Sequence, residues 1–281
     1  MFVRRPAVAG QFYEANAQDL MKRISECFLH SVGPGKEPPS KKQFEEIIGI
    51  VSPHAGLMYS GPVAAHGYYA CSALDKIDLA VILGPNHWGV GSGVATVSQG
   101  IWVTPLGKVE VDSNVTKELV ARSKLVDFDD YAHKQEHSLE VQIPFLQCIF
   151  KESFKILPVT MFIQDKHTAT EIGGALYNTI KGRKFLLVAS SDFTHYENQA
   201  TASSKDHMLI DRILKLDVEG FYDTIEKLSI SVCGYGPIAV LMAIMKQLGG
   251  NKGKLLKYAT SGDITKDYDS VVGYASIIFT L

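Results

Sequence analysis

The sequence predicts an α/β fold: a sandwich in which helices flank a central mixed β-sheet, in a single domain over residues 1–281. Short apolar runs alternate with segments of helical periodicity, which is typical of that class. The composition, 46% hydrophobic and 21% charged over 281 residues, is ordinary for a globular protein and sufficient for a full core. No linker rich in Gly, Ser or Pro interrupts the middle of the chain, which favours one domain over two.

The elements of the first part of the chain follow from periodicity and from turn residues. Apolar residues at helical spacing indicate helices, short apolar runs bounded by Gly and Pro indicate strands, and clustered prolines indicate a loop. The elements expected are, in order, a helix over 16–30, a surface loop over 33–46, a strand over 47–51, a helix from Ser60 to about Ser72, a strand over 79–83, and two or three short antiparallel strands within 92–112.

The remaining elements continue the alternation of strands and helices. A capping box over Thr168–Glu171 marks one helix start, and Pro237 with Gly249-Gly250 brackets another helix. The elements expected are helices over 112–123 and Glu136–Phe150, a strand over Phe154–Met161, a helix from Thr168 to about Ile180, a strand over 185–189, helices over 200–216, 218–227 and Pro237–Leu248, and a closing strand over 271–281.

Charge and cysteine usage bound the partners and the compartment. The formal net charge is −2, which gives no long-range attraction to nucleic acid. No apolar run approaches the ~18 residues of a membrane span, and the N-terminal apolar stretch is too short for a signal peptide. The four cysteines form no C-x-x-C pair, which fits a reducing compartment. We therefore expect a cytoplasmic protein without nucleic-acid or membrane partners.

Three histidines follow the ends of three apolar runs. His54 comes after the run at 47–51, His87 after the run at 80–83, and His195 after the run at 185–189. Ligands of open α/β sheets bind outside the carboxyl ends of the strands. Three imidazoles at this edge are in a position to converge on one ion or one substrate. The competing interpretation, a hydrogen-bonded core histidine at a turn, stays open for each of them taken alone.

A thiol completes a candidate metal site. Cys233 stands immediately before the helix that starts near Pro237, and a helix N-terminus favours thiolate over thiol. With His54 and His87 it would make a His₂Cys site, and we expect it to be the reactive thiol of the chain. The alternative is a small buried hydrophobic residue. The other cysteines, which fall on predicted helix faces, are expected to be buried: Cys27, Cys71 and Cys148.

Further polar residues are candidates for catalysis and support. His195 is the candidate proton-transfer residue and Asp192 its orienting carboxylate, against the alternative of an Asp N-cap beside a solvated histidine. Glu136 and His137 open a predicted helix and are candidate ligand-supporting or substrate-binding residues, against the alternative of an exposed first helical turn. Seven more residues are interpreted as additional contacts of the site, as surface groups or as a structural group. The site contacts are Asn86 and Tyr59, the surface histidines are His30, His133, His167 and His207, and the structural histidine is His66.

Six motifs together resemble the Memo family over nearly the whole chain and in the same order. They are Ala9-Gly10-Gln11-Phe12-Tyr13, Pro53-His54-Ala55-Gly56, Leu83-Gly84-Pro85-Asn86-His87, Glu136-His137-Ser138, Ser190-Ser191-Asp192-Phe193-Thr194-His195 and Cys233-Gly234-Tyr235-Gly236-Pro237-Ile238. The resemblance implies the fold of class III extradiol dioxygenases, a single α/β domain with a mixed sheet between helices.

The resemblance also implies roles for individual residues. In the ring-cleaving relatives two histidines and a glutamate hold Fe(II), and by motif the histidines fall on His54 and His87, with the acid/base on His195. Memo-like chains carry a cysteine in the place of the glutamate, here Cys233. Thiolate favours copper or zinc over the Fe(II) of a carboxylate site. The resemblance thus supports one metal ion, iron, copper or zinc, more than it supports ring cleavage.

Three functions remain open from the sequence. The first is a metal-dependent redox enzyme that acts on oxygen or on a small phenolic or polar molecule. The second is a binding module that uses the same cleft for a peptide or a modified side chain. The third is a metal-dependent hydrolase, because bound zinc lowers the pKa of its water to about 7.

Overall fold

The computed structural model describes residues 2–38, 47–150, 154–250 and 252–281, so the predicted loop at 33–46 lies partly outside the described residues. Twelve strands are present in these ranges. They are β1 (Val3–Arg4), β2 (Ile47–Ser52), β3 (Leu79–Pro85), β4 (Val94–Thr96), β5 (Ile101–Thr104), β6 (Gly107–Val111), β7 (Asp127–Phe128), β8 (Lys155–Met161), β9 (Phe185–Ser190), β10 (His195–Glu197), β11 (Gly253–Thr260) and β12 (Val271–Thr280).

Helices connect these strands. Within the same ranges they are α1 (Ala17–Leu29), α2 (Leu57–Cys71), α3 (Ser113–Arg122), α4 (Asp130–His133), α5 (Gln142–Ile149), α6 (Lys166–Ile180), α7 (Gln199–Leu214), α8 (Val218–Leu228), α9 (Tyr235–Gln247) and α10 (Ser261–Thr265).

One continuous mixed sheet runs through the molecule in the order β1-β5-β6-β8-β3-β9-β2-β12-β10. Its centre, β8-β3-β9-β2, is parallel. The antiparallel pairs lie outside this centre: β5 with β6, β4 with β8, and β12 with β2, β10 and β11. The expected antiparallel pairing within 92–112 is therefore found for β5 and β6, whereas β4 pairs with β8 and with β7.

Two apolar layers cover the faces of the sheet. Successive side chains of a strand point to opposite faces, and β9 shows the consequence. Leu187 and Ala189 pack in one layer with helices α3, α6, α7, α8 and α9. Leu186 and Val188 pack in the other layer with α1, α2 and α5. Helices on both faces of a mixed sheet confirm the predicted fold class. The more specific likeness to class III extradiol dioxygenases stays an implication of the family resemblance.

Three predicted helix starts differ from the structure, two because of tertiary contacts and one because of a local cap. Helix α2 begins at Leu57, before the expected Ser60, because the Phe12 carbonyl accepts the Leu57 N–H at 2.7 Å and places Pro62 inside the helix. Helix α5 begins at Gln142 and not at Glu136, because the preceding segment is held by contacts described below. The capping box at Thr168 does not form; Asp165 caps α6, and its carboxylate accepts the Thr168 N–H.

Strand β11 was not predicted. Its residues Gly253–Thr260 pair antiparallel with β12 at the margin of the sheet, and most of them are only half-buried. A marginal strand does not need a continuous apolar run, since one of its sides faces solvent. Lysines therefore interrupt the pattern that identified the central strands.

Candidate metal centre

The carboxyl ends of three adjacent parallel strands place the candidate residues together. His54, His87 and Asp192 each stand two residues beyond the end of a strand, β2, β3 and β9 respectively. These strands are neighbours in the order β3-β9-β2, so their ends meet at one edge of the sheet. Cys233 reaches the same edge from the loop that precedes α9, where its N–H donates to the Asp192 carbonyl at 3.3 Å.

Two imidazoles and a thiol converge at this edge. The His54 Nε2 atom lies 3.3 Å from the Cys233 Sγ atom. One possible ligand atom from each of His54, His87 and Cys233 lies within 4.8 Å of the other two. His54 is buried, Cys233 is half-buried and His87 is exposed, so the cluster is reached from solvent on one side. Three protein donors with an accessible side are typical of catalytic rather than structural metal sites.

Hydrogen bonds fix the tautomer of His54. The Ser190 hydroxyl donates to the Ser138 carbonyl at 2.7 Å and accepts from the Gln142 amide at 2.8 Å. Its single proton is therefore used, so the 2.8 Å bond to His54 Nδ1 requires that Nδ1 carry the proton. Gln142 is held in this orientation because its other amide atom accepts from the Tyr68 hydroxyl at 2.6 Å. The lone pair of His54 is thereby left on Nε2, which faces the thiol.

A carboxylate orients His87 in the same way. Glu136 is buried, and its Oε1 atom lies 2.9 Å from His87 Nδ1 while its Oε2 atom accepts the His87 N–H at 2.6 Å. The lone pair of the imidazole is then on Nε2, which is free to bind a metal ion. This is the usual arrangement in which a carboxylate orients a histidine ligand. Glu136, His87 and His137 also form a cluster of possible ligands. Because Glu136 already accepts backbone N–H groups from His87 and Ser138, it serves as the orienting group.

Burial keeps His54 and its neighbour His137 in the neutral form. Burial lowers the pKa of His54 well below its usual range and, for His137, to about 4, so both imidazoles are neutral at pH 7. Burial would raise the pKa of Glu136, but the hydrogen bond from His87, electrostatic interactions with the two neighbouring histidines and the N–H of Ser138 lower it to about 2. Neutral imidazoles and an ionised orienting carboxylate are the state that metal binding requires.

The sequence matches the family model described as a Memo-like protein over residues 4–278. The chain belongs to the Memo family. A MEMO1 family protein of Methanopyrus kandleri is 47% identical over 278 residues, covering 98% of each chain. A MEMO1 family protein of Nitrosopumilus maritimus is 47% identical over 277 residues, covering 99% of each chain. The predicted family is thus confirmed.

A solved structure shares the fold of this Memo family protein. The crystal structure of an uncharacterized protein from Escherichia coli K12 superposes with a TM-score of 0.55 at 11% identity and covers 83% of this chain and 99% of that chain. At this identity the likeness concerns the fold alone. Within the described ranges, no helix combines the length and apolar character needed to cross a membrane.

The Cys233 thiol differs from the sequence prediction. Burial raises its pKa, and the nearby Asp192 carboxylate raises it further, although the Asp192 N–H donates to the sulfur at 3.2 Å. The expected lowering by the helix N-terminus is therefore wrong for the metal-free Memo protein, because desolvation outweighs the helix. A bound cation reverses this, since a coordinating thiol loses its proton. Cys27 and Cys71 are buried as expected, whereas Cys148 is half-buried.

Asp192 and His195 lie together but do not form the expected pair. The Asp192 Oδ1 atom accepts the His54 N–H at 2.8 Å and the Ala55 N–H at 3.4 Å, so it shapes the loop that carries His54. His195 Nδ1 instead donates to the Ser231 carbonyl at 2.8 Å, and its backbone N–H donates to the Ser231 hydroxyl at 2.8 Å. The group that orients His195 is therefore Ser231, two residues before Cys233.

The two remaining candidates occupy different positions. Asn86 is buried and closes the turn behind His87, because its side chain accepts from Trp88 N–H and Gly89 N–H and donates to the Val90 carbonyl. Its polar atoms are used within that turn. Tyr59 lies on α2 with 43% of its surface exposed.

His133 is not a surface residue. It is fully buried at the end of α4, where its Nε2 atom donates to the Ala95 carbonyl at 3.1 Å. Burial and the nearby Arg4 charge lower its pKa to about 3. Its polar neighbours in the sequence, Asp130 and Lys134, had indicated exposure. Sequence reasoning also missed Ser190, Gln142 and Ser231, which stand in apolar or loop segments and carry no motif of their own beyond the family pattern.

Acid should destabilise this fold from a higher pH than carboxylates alone would cause. The pKa of His137 falls from an ordinary value near 6.5 to about 4, so the unfolded chain binds more protons between these values. The contribution of His137 to the free energy of unfolding is therefore fully present above pH ~6.5. It declines as the pH falls toward ~4, by an amount on the order of 3 kcal/mol. Urea unfolding with a chelator at pH 7.5 and 4.5 measures this. His137→Gln should remove part of the decline, and an unchanged pH slope would contradict the assignment.

Proposed function

We propose that this Memo family protein is a metal-dependent redox enzyme that acts on a small polar molecule such as a phenol. The observation that carries the proposal is the convergence of His54 Nε2, His87 and the Cys233 thiol at an edge open to solvent. Soft thiolate with two imidazoles suits copper or zinc, and non-haem iron is accommodated less well. A bound copper or iron ion would supply one-electron chemistry at the open position.

Residues of the chain orient the ligands, transfer protons and control access to the site. Glu136 and Ser190 hold the two imidazoles in the tautomers that leave Nε2 unprotonated. His195 is fixed through Nδ1 by Ser231, which leaves its Nε2 atom to take or give a proton. The buried His54 side excludes water from the floor of the site, and the exposed His87 side admits the substrate.

The test is metal analysis followed by oxygen uptake. Protein purified without oxygen should contain about one equivalent of copper or iron, and it should consume oxygen with a phenol from a small panel. Ring cleavage of simple catechols with Fe(II) should be absent or weak, because Cys233 stands where that chemistry uses a carboxylate. No oxygen uptake with any loaded metal would reject the redox function. Ester or amide hydrolysis by the zinc form would then support the hydrolase.

An exposed aromatic margin favours a second candidate, a binding module. Trp88 next to His87 is 55% exposed, Phe162 beside Gly89 is 56% exposed, and Tyr196 next to His195 is 79% exposed. Such side chains bind peptides and modified side chains well because they lose little conformational entropy. Peptide binding that survives removal of the metal by a chelator would favour the module, and binding that needs the metal would favour the enzyme.

A further inference from the structure

An arginine far from the site in sequence is buried at one margin of the sheet. Arg4 on β1 is only 2% exposed, and its guanidinium lies 4.2 Å from the centre of the Trp102 ring. Each nitrogen of the guanidinium has a partner in one segment. Nε donates to the His133 carbonyl at 2.8 Å, Nη2 to the Glu136 carbonyl at 2.5 Å and Nη1 to the Glu140 carboxylate at 2.6 Å.

The N-terminal segment secures the far end of the same contact. The Glu140 carboxylate also accepts the N–H groups of Ala7 and Val8, at 2.8 and 3.1 Å, and the hydroxyl of Tyr13. Residues 4–13 thus close over residues 133–140 through one ion pair and its hydrogen bonds. This is why that segment does not continue α5 toward its N-terminus as the sequence predicted.

The segment held by Arg4 supplies the groups behind both candidate histidine ligands. Its Glu136 carboxylate orients His87, and its Ser138 carbonyl accepts from the Ser190 hydroxyl that fixes His54. Ser138 also donates to the Pro85 carbonyl at the end of β3. A shift of this segment would therefore release both imidazoles at once.

We propose that Arg4 is a positioning residue of the candidate metal centre: its planar guanidinium holds residues 133–140 in the conformation that presents Glu136 and Ser138 to the histidines. The proposal rests on the proposed metal site for its functional meaning. It concerns shape more than charge, because two of the three hydrogen bonds go to carbonyls of the segment and need the geometry of a guanidinium. Lysine would keep the positive charge beside Glu140 but would lose the planar guanidinium that donates to both backbone carbonyls.

The test compares Arg4→Lys with Arg183→Lys. Arg183 has the same kinds of partner, the Thr179 carbonyl and the Glu118 carboxylate, but lies near the opposite ends of the strands. Loss of a group that orients ligands typically weakens metal binding about 10–100-fold. We expect that loss for Zn²⁺ in Arg4→Lys together with an altered visible spectrum of the Co²⁺ form, and neither change in Arg183→Lys. Unchanged Zn²⁺ affinity and spectrum in folded Arg4→Lys would overturn the proposal.

Amide hydrogen exchange on metal-free protein separates this proposal from the proposed function. The Glu136 carboxylate accepts the backbone N–H groups of His87 and Ser138, which should exchange selectively faster in Arg4→Lys. Faster exchange throughout the chain would show general destabilisation and overturn the positioning role. If the wild-type protein binds no metal, the proposed function fails, but the exchange result still decides whether Arg4 holds the segment. Should Arg4→Lys fail to fold, Tyr13→Phe removes one contact to Glu140 and takes the same measurements with the same expected direction.

Discussion

Replacing Cys233 by serine is expected to abolish stoichiometric metal binding while the fold survives. The change removes the soft donor that lies 3.3 Å from His54 Nε2 and leaves two imidazoles. Loss of a direct ligand should exceed the roughly 10–100-fold cost of losing a group behind a ligand. Elemental analysis of anaerobically purified protein and calorimetric titration with Zn²⁺ measure the effect, and His54→Gln should behave in the same way.

The pH dependence of binding provides a second readout of the same ligand. Because burial raises the pKa of the Cys233 thiol, the metal-free protein holds it protonated near pH 7, and binding must release that proton. The affinity of the wild-type protein should therefore rise with pH, with about one proton released per metal ion. Cys148→Ser, at a half-buried thiol outside the cluster, is the matched control and should bind normally. A Cys233→Ser protein that keeps one equivalent at unchanged affinity would show that the site is wrong.

Gly234→Ala should have the largest effect on stability among the glycines of the site. An added Cβ would overlap the backbone carbonyl oxygen of Ser190 and would lie 2.6 Å from Ser191 Cβ. The end of β9 cannot yield easily, because it is buried in the sheet. Overpacking of this kind costs about 1–3 kcal/mol and sometimes more. Since Cys233 is the adjacent residue, the same displacement should also weaken metal binding.

Gly174→Ala is the matched control for this prediction. Gly174 lies within helix α6, and apart from the adjacent residues and the backbone of the helix itself no atom lies within 4 Å of the position that a Cβ would take. Alanine in an open helical position should stabilise the protein by about 0.5–1 kcal/mol. Urea unfolding and Zn²⁺ titration of both variants measure the contrast. Equal free energies of unfolding for Gly234→Ala and the wild-type protein would mean that the Cys233 loop can move away from β9.

The central elements of the fold could be predicted because their signal is local. Continuous apolar runs marked β2, β3 and β9, and the turn residues after them marked the places where ligands collect. Helix α1 was identified from its apolar spacing. Elements at the margin, such as β11, and the starts of α2 and α5 could not, because partners distant in sequence decide them. Phe12 captures the first N–H of α2, and Glu136 and Glu140 are used by contacts outside their own segment.

For the candidate site, too, the local features could be predicted from the sequence and the long-range ones could not. The sequence identified the candidate ligands: His54 and His87 at the ends of strands, and Cys233 before α9. It also showed their resemblance to the motifs of the Memo family. The protonation and orientation of these residues were not. The tautomer of His54 depends on a hydrogen-bond chain through Ser190, Ser138 and Gln142, and His195 is oriented by Ser231 and not by Asp192.

The sequence by itself determined the α/β class, the central strands, the edge at which polar groups gather, and the membership of a family. Those properties depend on the periodicity and identity of neighbouring residues. Only the tertiary structure decided that Arg4 reaches the segment behind the histidines, that His133 is buried, and that desolvation raises the pKa of the Cys233 thiol. Burial, long-range hydrogen bonds and the local dielectric arise from segments that meet only in the folded chain, so no local pattern encodes them.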